Sequence, residues 1–128
     1  MGVIFVRNDK GQSSNVIHKW YSDDEFSFWY YDSKSITHPS ENIVRVWAKC
    51  IYTEKGRKGL VSNMGARYRG TYYSKGYMEL NCADKMAHAL SIIFYSEEGD
   101  IITSLSAEKW NFIPPKSANE KLYQEICK

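Results

Sequence analysis

The sequence Ile-Val-Arg-Val-Trp-Ala-Lys-Cys-Ile-Tyr-Thr, residues 43–53, decides the fold class. Its side chains alternate: one parity carries Val44, Val46, Ala48, Cys50 and Tyr52, and the other carries Arg45, Trp47 and Lys49. Alternation with a period of two residues is typical of a strand in a sheet with one buried face. Cys50 lies on the apolar parity, so we expect it to be a buried thiol.

Further strand-like runs lie on both sides of this segment. Two aromatic runs that flank the acidic turn at residues 23–25 predict a hairpin, and residues 77–82 alternate like the central strand. Residues 86–95, 101–105 and 110–113 supply more strands, although residues 86–91 also have helical propensity. The sequence therefore predicts an α+β fold, mainly β, with an antiparallel meander of five to seven strands.

One helix is predicted at the C-terminal end of the meander. Pro114-Pro115 ends the sheet, and Ser117-Ala118-Asn119-Glu120 has the spacing of a capping box. Leu122 and Ile126 then lie one turn apart on one face of a short helix. We expect this helix to pack on the sheet.

The composition describes a single, nearly neutral domain. The chain has 128 residues, 43% of them hydrophobic, with a net charge of +2, which excludes a disordered chain. Residues 18–128 form the predicted domain, and residues 1–17 a partly disordered N-terminal arm, because residues 7–16 are polar and contain Gly and Ser. No apolar run approaches the roughly 20 residues of a membrane-spanning helix.

The sequence contains few signs of catalysis. His18, His38 and His88 lie far apart, none in a metal-ligand spacing, and the common hydrolase and nucleotide-binding motifs are missing. We therefore expect no enzymatic activity, no metal and no cofactor. A Cys50 nucleophile with a distant histidine as its base is the enzymatic alternative.

The basic segment, residues 55–75, is the candidate binding region. It carries six Lys or Arg residues and no acidic residue, and tyrosines are interleaved with them. Such a loop can bind phosphate backbones and stack bases, or bind sulfated sugars, acidic proteins or anionic lipids, or simply be a solvated hairpin loop. The candidate binding residues are Arg57, Lys58, Arg67, Tyr68, Arg69, Tyr72 and Tyr73.

The three cysteines leave the compartment open. Cys50, Cys82 and Cys127 would all be thiols in a reducing compartment, whereas an oxidising one would favour one bridge and one free thiol. The first six residues lack the basic region of a signal peptide. The protein is therefore either cytoplasmic or exported with a leader that this sequence does not include.

Several rarer residues together resemble a known family. They are Trp20, Tyr31-Asp32-x-x-Ser35-Ile36, Val44-x-Val46-Trp47, Glu79-x-x-Cys82, Gly99, Trp110-x-x-Ile113-x-Pro115-x-Ser117 and Cys127. This pattern, over about residues 18–128, resembles the bacterial surface-adhesin protein E family. The resemblance implies a small exported protein whose disulfide, Cys82–Cys127 here, joins the C-terminal helix to a central strand while Cys50 stays free. The sequence departs from the pattern at Pro114-Pro115-Lys116-Ser117, where the family usually has a Pro-Gly-Ser turn.

These observations together predict a function of the binding class. We expect a non-enzymatic, exported protein of the periplasm or cell surface, which binds an extracellular protein or an acidic polymer through residues 55–75. The alternative is an intracellular nucleic-acid-binding domain that uses the same segment, although the acidic residues elsewhere make nucleic acid the less favoured partner. An exposed strand edge would also allow a homodimer.

Overall fold

Antiparallel strands account for most of the secondary structure. The computed structural model describes residues 6–7, 13–14, 17–23 and 25–128, so most of the predicted N-terminal arm lies outside the described residues. The strands in this part of the chain are β1 (Val6–Arg7), β2 (Ser13–Ser14), β3 (Ile17–Asp23), β4 (Ser27–Asp32), β5 (Thr37–Ser40), β6 (Ile43–Tyr52), β7 (Tyr73–Asn81), β8 (Met86–Tyr95) and β9 (Ile101–Phe112). The α-helices are α1 (Glu54–Met64) and α2 (Ala118–Ile126), and Ser33–Ser35 and Ala66–Tyr68 form 3-10 turns.

The main sheet is a seven-stranded antiparallel meander in the order β3-β4-β6-β7-β8-β9, with β5 paired beside β6. β4 pairs with the second half of β6, from Ala48 to Tyr52, and β5 pairs with its beginning, around Arg45. β1 and β2 form a separate two-stranded sheet. The predicted meander is confirmed, and residues 86–91 belong to a strand.

The parity of residues 43–53 places the core on one face of the sheet. Val44, Val46, Ala48 and Cys50 are all buried, and Leu80 on the neighbouring strand is fully buried. Leu122 of α2, also fully buried, belongs to the same cluster of packed side chains. The prediction that the C-terminal helix packs on the sheet is therefore confirmed.

Polar contacts and a disulfide also hold α2 to the sheet. Trp20 Nε1 donates to the Ala118 carbonyl at 2.8 Å, and the Tyr123 hydroxyl donates to the Cys82 carbonyl at 2.9 Å. Cys82 and Cys127 form the disulfide that the family resemblance implied. Cys50 is free and buried, as expected from its parity.

The N-terminus of α2 has the predicted cap. The Ser117 hydroxyl accepts from the Glu120 backbone N–H at 3.1 Å. Glu120 turns back and accepts from the Lys116 backbone N–H at 2.9 Å, which satisfies a second donor beside the first turn of the helix. The helix therefore begins where the spacing of these residues predicts.

The prediction that residues 55–75 form a loop is wrong. Most of this segment is α1 followed by a 3-10 turn. The Thr53 hydroxyl caps α1 by accepting from Gly56 N, and Gly56 packs so tightly that an added Cβ would lie 2.0 Å from the Phe26 carbonyl oxygen. Gly65 ends the helix at φ +113°, a conformation that favours glycine. The glycines therefore mark a close contact and a helix end.

Candidate functional site

Several cations of the basic segment, residues 55–75, make contacts within the protein. Lys55 pairs with Glu25, and Lys58 Nζ lies 3.4 Å from Glu54 Oε1. Arg57 donates to the Tyr52 carbonyl at 3.1 Å, and its guanidinium lies 4.3 Å from the centre of the Tyr72 ring. The contacts of Lys55 and Arg57 hold α1 against the end of the sheet, whereas the Lys58–Glu54 pair lies within α1.

The tyrosines of this segment do not form one exposed surface either. Tyr68, one of the predicted binding residues, is buried: it is 6% exposed and packs edge-on against Phe94, with ring centres 4.9 Å apart. Tyr72 is half-buried beneath Arg57, whereas Tyr73 begins β7. Arg67 and Arg69 remain exposed. The structure therefore separates the predicted binding residues into different environments.

The strand register brings a different set of side chains together on the face of the sheet opposite α2. Trp47 lies opposite Tyr77, Lys49 opposite Lys75, and Ile51 opposite Tyr73, which lies opposite Tyr95 on β8. Side chains directly opposite each other across antiparallel strands lie close enough to interact. We call this surface the lysine face, defined by Trp47, Lys49, Tyr73, Lys75, Tyr77 and Tyr95.

Stacked aromatic pairs lie on both sides of the two lysines. The Trp47 and Tyr77 rings have centres 4.8 Å apart with 22° between their planes, and the Tyr73 and Tyr95 rings have centres 4.8 Å apart with 11° between theirs. The ammonium group of Lys49 lies 4.6 Å from the Tyr73 ring centre. Lys75 has a longer contact, 5.6 Å from the Tyr95 ring centre. Both lysines therefore contact the Tyr73–Tyr95 pair.

The two lysines carry like charges on directly opposite positions. Burial lowers the pKa of Lys49, and the nearby charge of Lys75 lowers it further. In the described part of the chain, no ion pair joins either ammonium group to a carboxylate. Like charges directly opposite across a sheet are destabilising, so packing alone does not favour this pair.

A cavity of about 420 Å³ opens beside Lys49 and Lys75. Its walls combine apolar and aromatic groups with a few polar ones, and the described lining residues are Ile17, Tyr30, Tyr31, Asp32, Trp47, Ala48, Lys49, Lys75 and Tyr95. Small-molecule sites commonly have this size and mixture of walls. Asp32 adds one carboxylate, whose Oδ1 accepts from the Lys34 backbone N–H at 2.9 Å.

A buried ionic cluster lies farther along the same strands. Glu79 accepts from Arg45 Nε at 2.7 Å and from His88 Nε2 at 2.6 Å, and the His88 ring lies 4.1 Å from the Trp110 ring. Burial raises the pKa of Glu79, but the hydrogen bonds and charges of His88 and Arg45 outweigh burial, so its pKa is lowered. This cluster ties β6, β7 and β8 together, since its three members lie opposite each other in the register.

The chemistry around Cys50 is unsuited to nucleophilic catalysis. Its side chain is 2% exposed, and burial raises the pKa of its thiol to about 12. A nucleophilic cysteine needs a lowered pKa. Within the described residues, no group of three or more His, Cys, Asp or Glu side chains could hold a metal ion, and no helix is long and apolar enough to cross a bilayer.

Comparison with known proteins defines the class of this fold. The model of the surface-adhesin protein E family matches residues 16–128. Two structures of Haemophilus influenzae protein E are similar. Crystal form II has a TM-score of 0.58 at 20% identity, over 97% of this chain and 95% of that chain. The protein from a non-typeable strain has a TM-score of 0.54 at 17% identity, over 99% and 84%. No curated protein matches the chain.

The chain belongs to the surface-adhesin protein E family. The family makes it an adhesin-like protein, surface or exported, and the similar structures support its fold. The resemblance found in the sequence is therefore confirmed.

Sequence reasoning did not find the lysine face as a site. The sequence did contain a signal in the residues that alternate with the buried ones. Trp47 and Lys49 alternate with the buried residues of β6, and Tyr73, Lys75 and Tyr77 alternate in the same way in β7. Only the register places Lys49 opposite Lys75. Tyr73 is the member of the predicted binding set that belongs to this face.

Proposed function

We propose that this protein is a non-enzymatic binding module, exported to the bacterial cell surface, which uses the lysine face to bind an acidic partner outside the cell. The observation that carries the proposal is the pair Lys49 and Lys75, held opposite each other between two stacked aromatic pairs. Residues 18–128 form its single binding domain.

The disulfide supports export. Disulfides persist in oxidising compartments and are rare in the cytosol, and Cys82–Cys127 joins α2 to the end of β7. Membership of a surface-adhesin family points to the same compartment. Among the places that export can reach, we propose the cell surface, because an adhesin-like module must meet partners outside the cell.

The charge arrangement supports an acidic partner. An anion placed between Lys49 and Lys75 would neutralise a repulsion that the free protein must otherwise tolerate. Lys49 is half-buried, so its attraction to an anion is screened less by salt than that of a fully exposed side chain. Trp47, 38% exposed, offers an aromatic surface beside the cavity.

Within the described residues, the cavity lining and the environment of Cys50 support a binding role over an enzymatic one. The cavity lining contains lysines, aromatic rings and one carboxylate, whereas Cys50 belongs to the buried parity of β6 and has a raised thiol pKa. Nothing in the described part of the chain pairs this thiol with a base.

Export is tested by counting thiols on the unfolded, non-reduced protein from its native cells. One free thiol supports export and the Cys82–Cys127 bridge, and three free thiols contradict it. Antibody labelling of intact cells then separates the two exported locations. Labelling without permeabilisation supports the cell surface, whereas labelling only after permeabilisation places the protein in the periplasm and contradicts that part of the proposal.

Binding is tested with purified, fluorescently labelled protein on cultured epithelial cell monolayers, at low and at raised salt. We expect the native protein to bind and the Lys75→Glu variant to lose binding. The matched control is Arg67→Gln/Arg69→Gln, which also removes exposed positive charge but leaves the lysine face intact. Loss of binding in the control with retention in Lys75→Glu would move the site to Arg67 and Arg69 and contradict the proposal, as would no binding by the native protein.

A further inference from the structure

We propose that the cavity beside Lys49 and Lys75 binds an acidic sugar unit, a pyranose that carries a carboxylate or sulfate group. This inference rests on the proposed function and names the ligand class of the same site. It follows from three features of the cavity as the described residues line it: two ammonium groups that no ion pair among these residues joins to a carboxylate, aromatic walls, and one carboxylate, Asp32.

The acidic group is assigned to the two lysines. Lys49 and Lys75 lie directly opposite each other on β6 and β7, and both line the cavity. A carboxylate or sulfate has several acceptor oxygens and can therefore accept hydrogen bonds from both ammonium groups at once. The cross-strand register thus supplies two donors for one anion without any rearrangement of the backbone.

The sugar ring is assigned to the aromatic part of the cavity. Trp47 and Tyr95 line it and are partly exposed, and the C–H face of a pyranose packs against such rings while its hydroxyl groups stay at the edge. The volume of about 420 Å³ lies toward the lower end of the range for ligand sites. A monosaccharide or disaccharide unit fits that volume better than a long chain does.

Asp32 makes the cavity favour an acidic sugar over a simple anion as its ligand. Its carboxylate only accepts hydrogen bonds when ionised, so it can accept from sugar hydroxyls but repels a second negative charge. One of its oxygens already accepts from Lys34 N, and its other oxygen can accept from a ligand. A ligand that combines one acidic group with several hydroxyls satisfies both the lysines and Asp32. A continuous polyanion such as nucleic acid does not.

The test measures the binding of defined saccharides to the full chain by calorimetry and by NMR shifts of backbone amides. Sialyllactose and a heparin disaccharide represent animal glycans, and 3-deoxy-octulosonic acid represents sugars of the bacterial envelope. Lactose is the neutral control, sulfate and acetate are the simple anions, and a single-stranded oligonucleotide is the polyanion. We expect at least one acidic sugar to bind and to shift the amides of Lys49 and Lys75.

Three variants sharpen the result. Lys75→Glu should weaken binding of the acidic sugar about tenfold or more, because hydrogen bonds that involve a charged group are among the strong ones. Asp32→Asn should weaken binding of the sugar yet strengthen binding of sulfate, because it removes a negative charge. The asparagine side-chain oxygen can still accept the hydrogen bond from the Lys34 backbone N–H. Arg67→Gln/Arg69→Gln should leave binding unchanged. Lys75→Glu removes a like-charge pair and is therefore expected to fold.

The outcomes separate this inference from the proposed function. If only the animal glycans bind, or only the envelope sugar binds, the assignment of an acidic sugar is supported and the source of the ligand is identified. No binding by any acidic sugar, equal binding of sulfate or lactose, or tighter binding of the oligonucleotide overturns the inference. If epithelial binding still depends on Lys75 in that case, the proposed function stands. If sugars bind but the monolayers do not retain the protein, the proposed function fails and the sugar site stands.

Discussion

The Cys82–Cys127 disulfide gives the most quantitative prediction. The bridge closes a loop with a sequence separation of 45. In the chain-entropy model, a cross-link over 45 residues removes about 13 cal/mol/K from the unfolded chain, equivalent to about 4 kcal/mol at 25 °C. The Cys82→Ala/Cys127→Ala variant should therefore have a free energy of unfolding lower by about 4 kcal/mol. A domain of this size has a total of about 5–15 kcal/mol.

The assay is equilibrium unfolding in urea, followed by circular dichroism. The entropic model acts on the unfolded chain, so the unbridged protein should also show a larger dependence of free energy on urea, because its unfolded state exposes more surface. The native circular dichroism spectrum should not change, since Leu122 and the Trp20 and Tyr123 hydrogen bonds still hold α2 to the sheet.

Reduced native protein is the matched control. It lacks the bridge but keeps both cysteine side chains, so its free energy of unfolding should agree with that of the double alanine variant. A loss of less than about 1 kcal/mol would refute the chain-entropy reasoning. An unchanged urea dependence together with a weaker native helix signal would also refute it, because the bridge would then act by holding α2 in place.

Three further predictions concern the core, the ionic cluster around Glu79 and the lysine face. Leu122→Ala should lower the free energy of unfolding by about 2–5 kcal/mol, because Leu122 is fully buried; a loss below 1 kcal/mol would contradict the docking of α2. The lowered pKa of Glu79 means that its stabilisation is complete above its unfolded pKa of about 4.3 and is lost as pH falls through the lower folded value. Stability measured against pH should therefore decline less on acidification in Glu79→Gln than in the native protein, and Glu97→Gln, which removes an exposed carboxylate, is the charge-matched control. Lys75→Glu should stabilise the protein by up to about 1 kcal/mol at low salt, and less at high salt, by pairing with Lys49; a destabilised variant would contradict the register.

Much of the fold was predictable because it depends on local patterns. The alternation in residues 43–53 reports which side chains are buried, and the structure buries that parity. The Ser117 cap depends on residues within one turn of each other, so its spacing is visible in the sequence. The disulfide followed from the family resemblance, since three cysteines alone allow several pairings.

The basic segment shows where local reasoning failed. The segment was predicted to be a loop, but it is mainly helical, and Gly56 of the helix is required by the Phe26 backbone, which lies 30 residues earlier in the sequence. Tyr68 is buried because Phe94 from β8 packs against it. Both contacts join distant parts of the chain, so no pattern within residues 55–75 could predict them.

The sequence by itself determined a mainly β domain, the parity of its central strand, the C-terminal helix and the family. Only the tertiary structure decided that Lys49 lies opposite Lys75, that aromatic pairs flank them, and that a cavity lined in part by Asp32 opens beside them. The physical reason is register. The period of a strand shows which face a side chain occupies, but the pairing between strands decides which charge lies opposite it.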